Sequence, residues 1–142
     1  MKIYVEKLTP EQWATVSEDA HLRVFLTKKP AEWDRIDYAF LAIKEGADPV
    51  GYMSCREVTH DTVYWQYGGS FENIRGTTTS WRAYQAFLEW ARGKYKFVST
   101  YVKNDNMGYL KMALKAGFRI IGTKTYKEGI YLDLLLEVGN DD

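Results

Sequence analysis

The sequence predicts an α+β fold: one domain on a mixed, mostly antiparallel sheet of six to seven strands, with about four helices and a central β-α-β crossover. Three observations predict it. The chain has 142 residues, 46% of them hydrophobic and 27% charged, which suits one domain with its own core. Between Asp37 and Tyr67, three alternating stretches are joined by short polar turns, the pattern of an antiparallel meander. Beyond Gly68 the period changes from two to that of a helix, then a short strand and a second amphipathic helix follow. Strand, helix and strand in that order call for a right-handed crossover and a locally parallel pair.

The elements follow in order. "KIYVEKL" (2–8) alternates and reads as the first strand. In "TPEQWATVSED", Thr9 is placed as N-cap, Pro10 at the first helical position and Gln12 three residues after the cap, so a helix is expected over about 10–18. Residues 20–36 read as a second helical or irregular piece. "DYAFLAIKE", "VGYMSCREV" and "TVYWQY" are the meander strands, with His60-Asp61 as the second turn. A helix is expected over about 78–93, with Trp81, Tyr84, Leu88 and Ala91 at helical spacing, Phe87 and Trp90 widening the stripe, and Gly93 ending it. "KFVSTYV" (96–102) is a strand. "NDNMGYLKMALKAGF" is a helix with Met107, Leu110 and Leu114 on one face and Gly117 as its C-cap. "RIIGTKTY" and "IYLDLLLEV" close the chain as a hairpin around "KEG". Residues 1–138 form the single domain and 139–142 a frayed tail.

Composition narrows the function. The formal net charge is zero, so no global field argues for nucleic acid or a membrane surface. The halves differ: residues 1–70 hold 8 Lys/Arg against 11 Asp/Glu, and residues 71–142 hold 11 against 8. Such a chain could hold an anion with its second half and face a cation with its first. The single cysteine, Cys55, excludes an internal disulfide and reads as a small buried hydrophobe. The start "MKIYVEKLTPEQW" lacks the apolar core of a signal peptide, no apolar run approaches the ~18 residues of a membrane span, and a cytoplasmic location is expected. Two histidines and one cysteine without paired spacing argue against a metal site. His21 reads as structural and His60 as turn chemistry.

The stretch "SFENIRGTTTSW" (70–81) is the candidate site. A helix start after a strand presents unpaired amides and a partial positive charge, a ready anion site. Arg75 adds a planar charged fork, Gly76 a tight turn, and the hydroxyls further donors. The plain alternative is that Thr78, Thr79 or Ser80 is only a helix cap and Arg75 is solvated. No Gly-Lys-Ser/Thr follows, so this is not a P-loop.

The second helix weighs on that choice. Asn106 stands eleven residues before Gly117-Phe118, with Lys115 between them, and a strand precedes. This segment resembles the second signature of the GNAT superfamily of acyl-CoA-dependent N-acyltransferases, and the order of elements is similar to that family throughout. The family's first signature, R/Q-x-x-G-x-G/A, falls on Arg75 to Ser80, where its glycines are Thr78 and Ser80 here. The proton-donating Tyr of many members falls on Ala113, with Tyr109 one turn earlier.

The resemblance implies acetyl-CoA as cosubstrate and a primary amine as acceptor. Backbone groups of Arg75, Gly76, Thr77, Thr78, Thr79 and Ser80 would hold the diphosphate. Gln66, Tyr67 and Gly68 would line the thioester path, with a bulge or exit at Gly68-Gly69, an oxyanion-stabilising amide near Gln66 to Gly68, and Asn106 on the pantetheine. Glu72, Glu57 or His60 would take the amine's proton, Glu72 foremost, and Tyr109 would protonate the thiolate. Trp65, Tyr64 and Tyr67 would line an acceptor pocket. A homodimer is compatible with the fold. Two other readings stand beside this one: a GNAT-fold module that binds without catalysis, and a nucleic-acid binder using the basic second half, for which no recognition motif is present.

Overall fold

The computed structural model describes residues 2–25, 36–46, 48–71, 74 and 77–139. Its elements are β1 (Ile3–Lys7), α1 (Pro10–Phe25), β2 (Tyr38–Lys44), β3 (Pro49–Thr59), β4 (Thr62–Ser70), α2 (Thr78–Arg92), β5 (Phe97–Lys103), α3 (Met107–Ala116), β6 (Arg119–Tyr126) and β7 (Gly129–Glu137). The seven strands form one sheet in the order β1-β2-β3-β4-β5-β7-β6. Neighbours run antiparallel except β4 and β5, which are parallel, as α2 between them requires.

Local chemistry accounts for the ends of the elements. Thr9 and Gln12 form a reciprocal box: Gln12 N donates to Thr9 Oγ1 at 3.1 Å and Thr9 N to Gln12 Oε1 at 2.9 Å. α1 then runs on to Phe25, past the expected stop near residue 18, because Trp13, Ala20 and His21 keep it buried. The second helical piece expected over 20–36 is thus partly the end of α1, and its remainder at 26–35 lies outside the described residues. Three helices, not about four, stand among the described residues. His60-Asp61 turns β3 into β4, with Asp61 Oδ1 accepting from the hydroxyls of Thr59 and Thr62 at 2.6 and 3.0 Å, which holds that carboxyl below its usual range. Gly117 closes α3 at φ 107, the left-handed region that favours glycine. Gly93 ends α2 in a right-handed conformation instead.

Two cores sit on opposite faces of the sheet. On one face α2 and α3 bury Ala83, Tyr84, Phe87, Ala91, Leu110 and Ala113 against Met53, Trp65, Val98 and Leu134. On the other, α1 packs Trp13 and Ala20 on Tyr52, Ala39 and Phe71. The apolar stripe expected on α3 is rotated. Leu110 is buried, but Met107 and Leu114 are 54% and 44% exposed, and Tyr109 and Met112 pack inward instead. Cys55 is fully buried, and burial pushes its thiol up.

Glycines make β3 and β4 approach closely. A Cβ at Gly51 would stand 2.7 Å from the Gly69 carbonyl oxygen, whereas one at Gly108 would meet nothing within 4 Å. Gly51→Ala is expected to destabilise by about 1–3 kcal/mol, because backbone must give way. Gly108→Ala, inside α3, is expected to stabilise by about 0.5–1 kcal/mol. Thermal melts check both, at about 3 °C per kcal/mol for a chain of this size.

Candidate functional site

Pairing between β4 and β5 covers only Thr62–Trp65 and Phe97–Thr100. Beyond it β4 stays with β3, pairing Tyr67 with Ser54 and Ser70 with Gly51. At the parting, Ser54 pairs with Tyr67 and Cys55 with Trp65, so Gln66 is an extra residue. The bulge therefore lies at Gln66 rather than at the expected Gly68-Gly69. Those two glycines serve close approach instead: a Cβ at Gly68 would stand 2.7 Å from the Tyr52 carbonyl oxygen. The buried Thr100 hydroxyl donates to the Trp65 carbonyl at 3.1 Å, satisfying an oxygen at the point of divergence.

The parting strands open a cavity of about 750 Å³. It is lined from both faces of the sheet. On the α2 and α3 side stand Trp65, Ser80, Ala83, Tyr84, Thr100, Asn106, Tyr109 and Met112, and on the α1 side His21, Phe25, Tyr67 and Tyr101, with Glu128 and Tyr131 from the β6–β7 hairpin.

At one end is the start of α2. The N-cap is Thr77, not Thr78, Thr79 or Ser80. Its hydroxyl donates to the Ile74 carbonyl and accepts from Ser80 N at 3.3 Å. Ser80 Oγ lies 2.6 Å from Ser70 Oγ, tying the helix start to the end of β4. Among the described residues, the amides of Thr78 and Thr79 meet no protein acceptor. Of the expected anion donors among the described residues, then, the Thr78 and Thr79 amides remain available, while Thr77 N donates to the Ile74 carbonyl at 3.1 Å and Ser80 N is used within the cap. Arg75 and Gly76, and the base candidate Glu72, lie outside the described residues.

The slot's middle holds an aromatic hydroxyl cluster. The rings of Tyr84 and Tyr109 meet edge to face at 5.9 Å, and those of Trp65 and Tyr84 at 5.3 Å. Burial pushes the Tyr109 hydroxyl up to about 12, opposed by the neighbouring hydroxyls of Tyr84 and Thr100. Trp65 Nε1 is a buried donor without an acceptor among the described residues. Asn106 caps α3, its Oδ1 accepting from Tyr109 N at 3.3 Å, and also lines the cavity. Ala113, where the resemblance sets a Tyr, is fully buried in the core.

Other expected residues fall elsewhere. Glu57 accepts from Tyr95 OH at 2.7 Å near the opposite end of β3, and His60 is on the exposed turn; neither lines the cavity. Tyr64 packs on Tyr101 outside it. His21 is buried with Nδ1 2.7 Å from Tyr52 OH, as a structural histidine should be, yet it also lines the cavity. Sequence reasoning missed Tyr84 and Thr100. Thr100 was legible as the one hydroxyl among the inward positions Val98, Thr100 and Val102. No group of three His, Cys, Asp or Glu among the described residues could hold a metal ion, and no described helix is long and apolar enough to cross a membrane.

No family model and no curated protein matches the sequence. Solved structures do match. A GNAT family acetyltransferase from Elizabethkingia anophelis with acetyl-CoA bound superposes over 95% of this chain and 97% of its own, at TM-score 0.78 and 18% identity. The chain has the GNAT acetyltransferase fold. The ribosomal-protein-S18-alanine N-acetyltransferase from Escherichia coli gives TM-score 0.78 at 8% identity, covering 99% of this chain and 97% of that one. Arabidopsis thaliana Naa50, in complex with the bisubstrate analogue CoA-Ac-MVNAL, gives 0.76 at 14%, covering 96% and 99%. At such identities the likeness is one of GNAT fold, and the chemistry must be argued from this chain's own residues.

Burial holds the His21 imidazole below its ordinary 6.5, so the fold disfavours the charged ring. The unfolded chain then binds the proton more readily, and His21 contributes stability above pH ~6.5 that is lost as pH falls below it. The Tyr52 hydroxyl and the edge-on Tyr67 ring face the same imidazole. Unfolding free energy measured between pH 5 and pH 8 is expected to fall on acidification, and His21→Gln is expected to flatten that dependence.

Proposed function

We propose that this chain is an N-acetyltransferase that moves an acetyl group from acetyl-CoA to a primary amine by direct attack. One observation carries the reading: the cavity crosses the sheet where β4 and β5 part, running from Ser80 in the first turn of α2 on one face to a ring-lined opening on the other. Two substrates can then meet in the plane of the sheet from opposite sides.

The residues present fit acetyl-CoA. The Thr78 and Thr79 amides and the Arg75-Gly76 turn would receive the diphosphate, with Thr77 and Ser80 shaping the turn. Trp65 Nε1, a buried donor without an acceptor among the described residues, supports a slot built for a polar chain. Backbone from Gln66 through Tyr67 to Gly68 would face the thioester, an amide there stabilising the oxyanion, and Asn106 would border the pantetheine. Acetyl-CoA supplies an acyl group activated as a thioester. The chain orients the amine, whose nitrogen lone pair forms the new C–N bond as the C–S bond breaks and its electron pair leaves with sulfur. Glu72 or water receives the amine's proton. Tyr109 gives its proton to the departing thiolate and regains one from solvent. With its hydroxyl pushed up to about 12, Tyr109 stays protonated throughout the neutral range.

The second reading, a module that binds without catalysis, is favoured by two observations: Ser80 N is engaged by Thr77, and Ala113 carries no hydroxyl. Titration calorimetry separates the readings. Acetyl-CoA is expected to bind saturably, and a panel of primary amines is expected to release free thiol. Tyr109→Phe is expected to lower kcat by about 10²-fold while leaving the Kd for acetyl-CoA within about twofold. No binding heat at about millimolar acetyl-CoA would end the catalytic reading.

A further inference from the structure

We propose that the α1 side of the slot receives a primary amine carrying a single apolar group, oriented by the side-chain oxygen of Gln66. The inference rests on the acyl-transfer reading above and names the acceptor's chemistry.

The β-bulge is the first observation. It adds Gln66 to β4 at the residue where pairing with β5 has just ended. The side chain lines the cavity, and Oε1 is buried without a donor among the described residues. A buried acceptor left unpaired costs roughly 1–3 kcal/mol, so a ligand N–H at this point recovers a substantial term. The type of acceptor matters as well. A carboxylate here would favour the ammonium form, which cannot attack. A neutral amide oxygen can hold one N–H of the free amine while its lone pair points at the thioester carbon.

The walls are the second observation. The Tyr67 ring meets His21 edge-on at 5.3 Å and Phe25 at 6.1 Å, and Tyr131 closes the hairpin side. Burial keeps the His21 ring neutral near pH 7, so it too is an uncharged wall. The charged lining residues among those described are Lys103, Asp105 and Glu128. Lys103 Nζ lies 3.9 Å from Asp105 Oδ2, which leaves Glu128 alone uncompensated. A polyamine needs several carboxylates, whereas one amine on an apolar stem needs rings and one acceptor.

The test uses 2-phenylethylamine and spermidine as acceptors at saturating acetyl-CoA, with thiol release as the readout. The unaltered protein is expected to favour 2-phenylethylamine in kcat/KM by about tenfold or more. Gln66→Met keeps the shape and removes the acceptor; it is expected to raise KM for 2-phenylethylamine about tenfold. Gln66→Glu restores an oxygen and is expected to bring that KM back towards the starting value, with a rate that now rises with pH. A preference for spermidine, or acetyl-CoA binding with neither amine acetylated, would overturn the inference and leave the acyl-transfer reading standing. An unchanged KM in Gln66→Met would remove Gln66 from the role. Absence of acetyl-CoA binding would remove both readings together. The preference is measured without any variant, so it stands even where Gln66→Met fails to fold.

Discussion

Every feature of the cavity depends on one interruption, the end of β4–β5 pairing at Trp65 and Thr100. Two parallel strands inside a sheet do not part freely, because each then leaves backbone donors and acceptors unpaired. Here hydroxyls take over part of that role. Thr100 Oγ1 donates to the Trp65 carbonyl at 3.1 Å, and Ser54 Oγ donates to the Tyr67 carbonyl at 3.3 Å. The direction of the divergence is set from the other side. Gly51 and Gly68 let β3 and β4 approach so closely that a Cβ at either would stand 2.7 Å from a carbonyl oxygen. β4 is therefore held to β3 on both sides of the Gln66 bulge and parts from β5 instead.

The two cores explain why the gap stays open. The core under α2 and α3 ends in the perpendicular rings of Trp65 and Tyr84, and the one under α1 ends in Tyr52, Tyr67 and His21. Neither can cross the sheet to fill the space between them. Rings are well suited to such walls: they are stiff, they bury large areas, and their hydroxyls and N–H groups keep polar edges towards a ligand. The unusual supply of five Trp, eleven Tyr and six Phe thus serves two cores and the slot between them.

The architecture was legible in the sequence because its signals are local. The Thr9–Gln12 box, the His60-Asp61 turn and the Gly117 cap each announce themselves within a few residues, and the change of period after Gly68 announces the crossover. The site was less legible because its determinants are long-range. Gln66 is bulged only by virtue of what β3 does opposite it, and nothing in "YWQYGG" distinguishes it from its neighbours; the adjacent glycines drew the expectation instead. Tyr84 was read as part of an apolar stripe, which it is, but it also lines the cavity beside Tyr109 and Trp65, which come from other elements. Glu57 misled for a related reason. Sequence proximity to the meander turn says nothing about which end of a strand reaches the slot.

The hydroxyl-rich turn at the start of α2 can be understood in the same terms. Glycines, which the resemblance sets at Thr78 and Ser80, would leave the Thr77 cap in place but remove the Ser80 hydroxyl that reaches β4. Here Thr77 caps, which removes Ser80 N from the available donors, and the Ser80 hydroxyl bonds Ser70 on β4. Ser80 in place of glycine therefore adds a tether to β4. Under the acyl-transfer reading, a phosphate would meet the Thr78 and Thr79 amides on a capped helix whose first turn is anchored to the strand bordering the slot. Because ligand ordering costs fall when a site is already fixed, fewer donors in a set position can match more donors on a loose loop. On the acyl-transfer reading, affinity at this turn would depend on the Ser70–Ser80 tether as well as on the free amides.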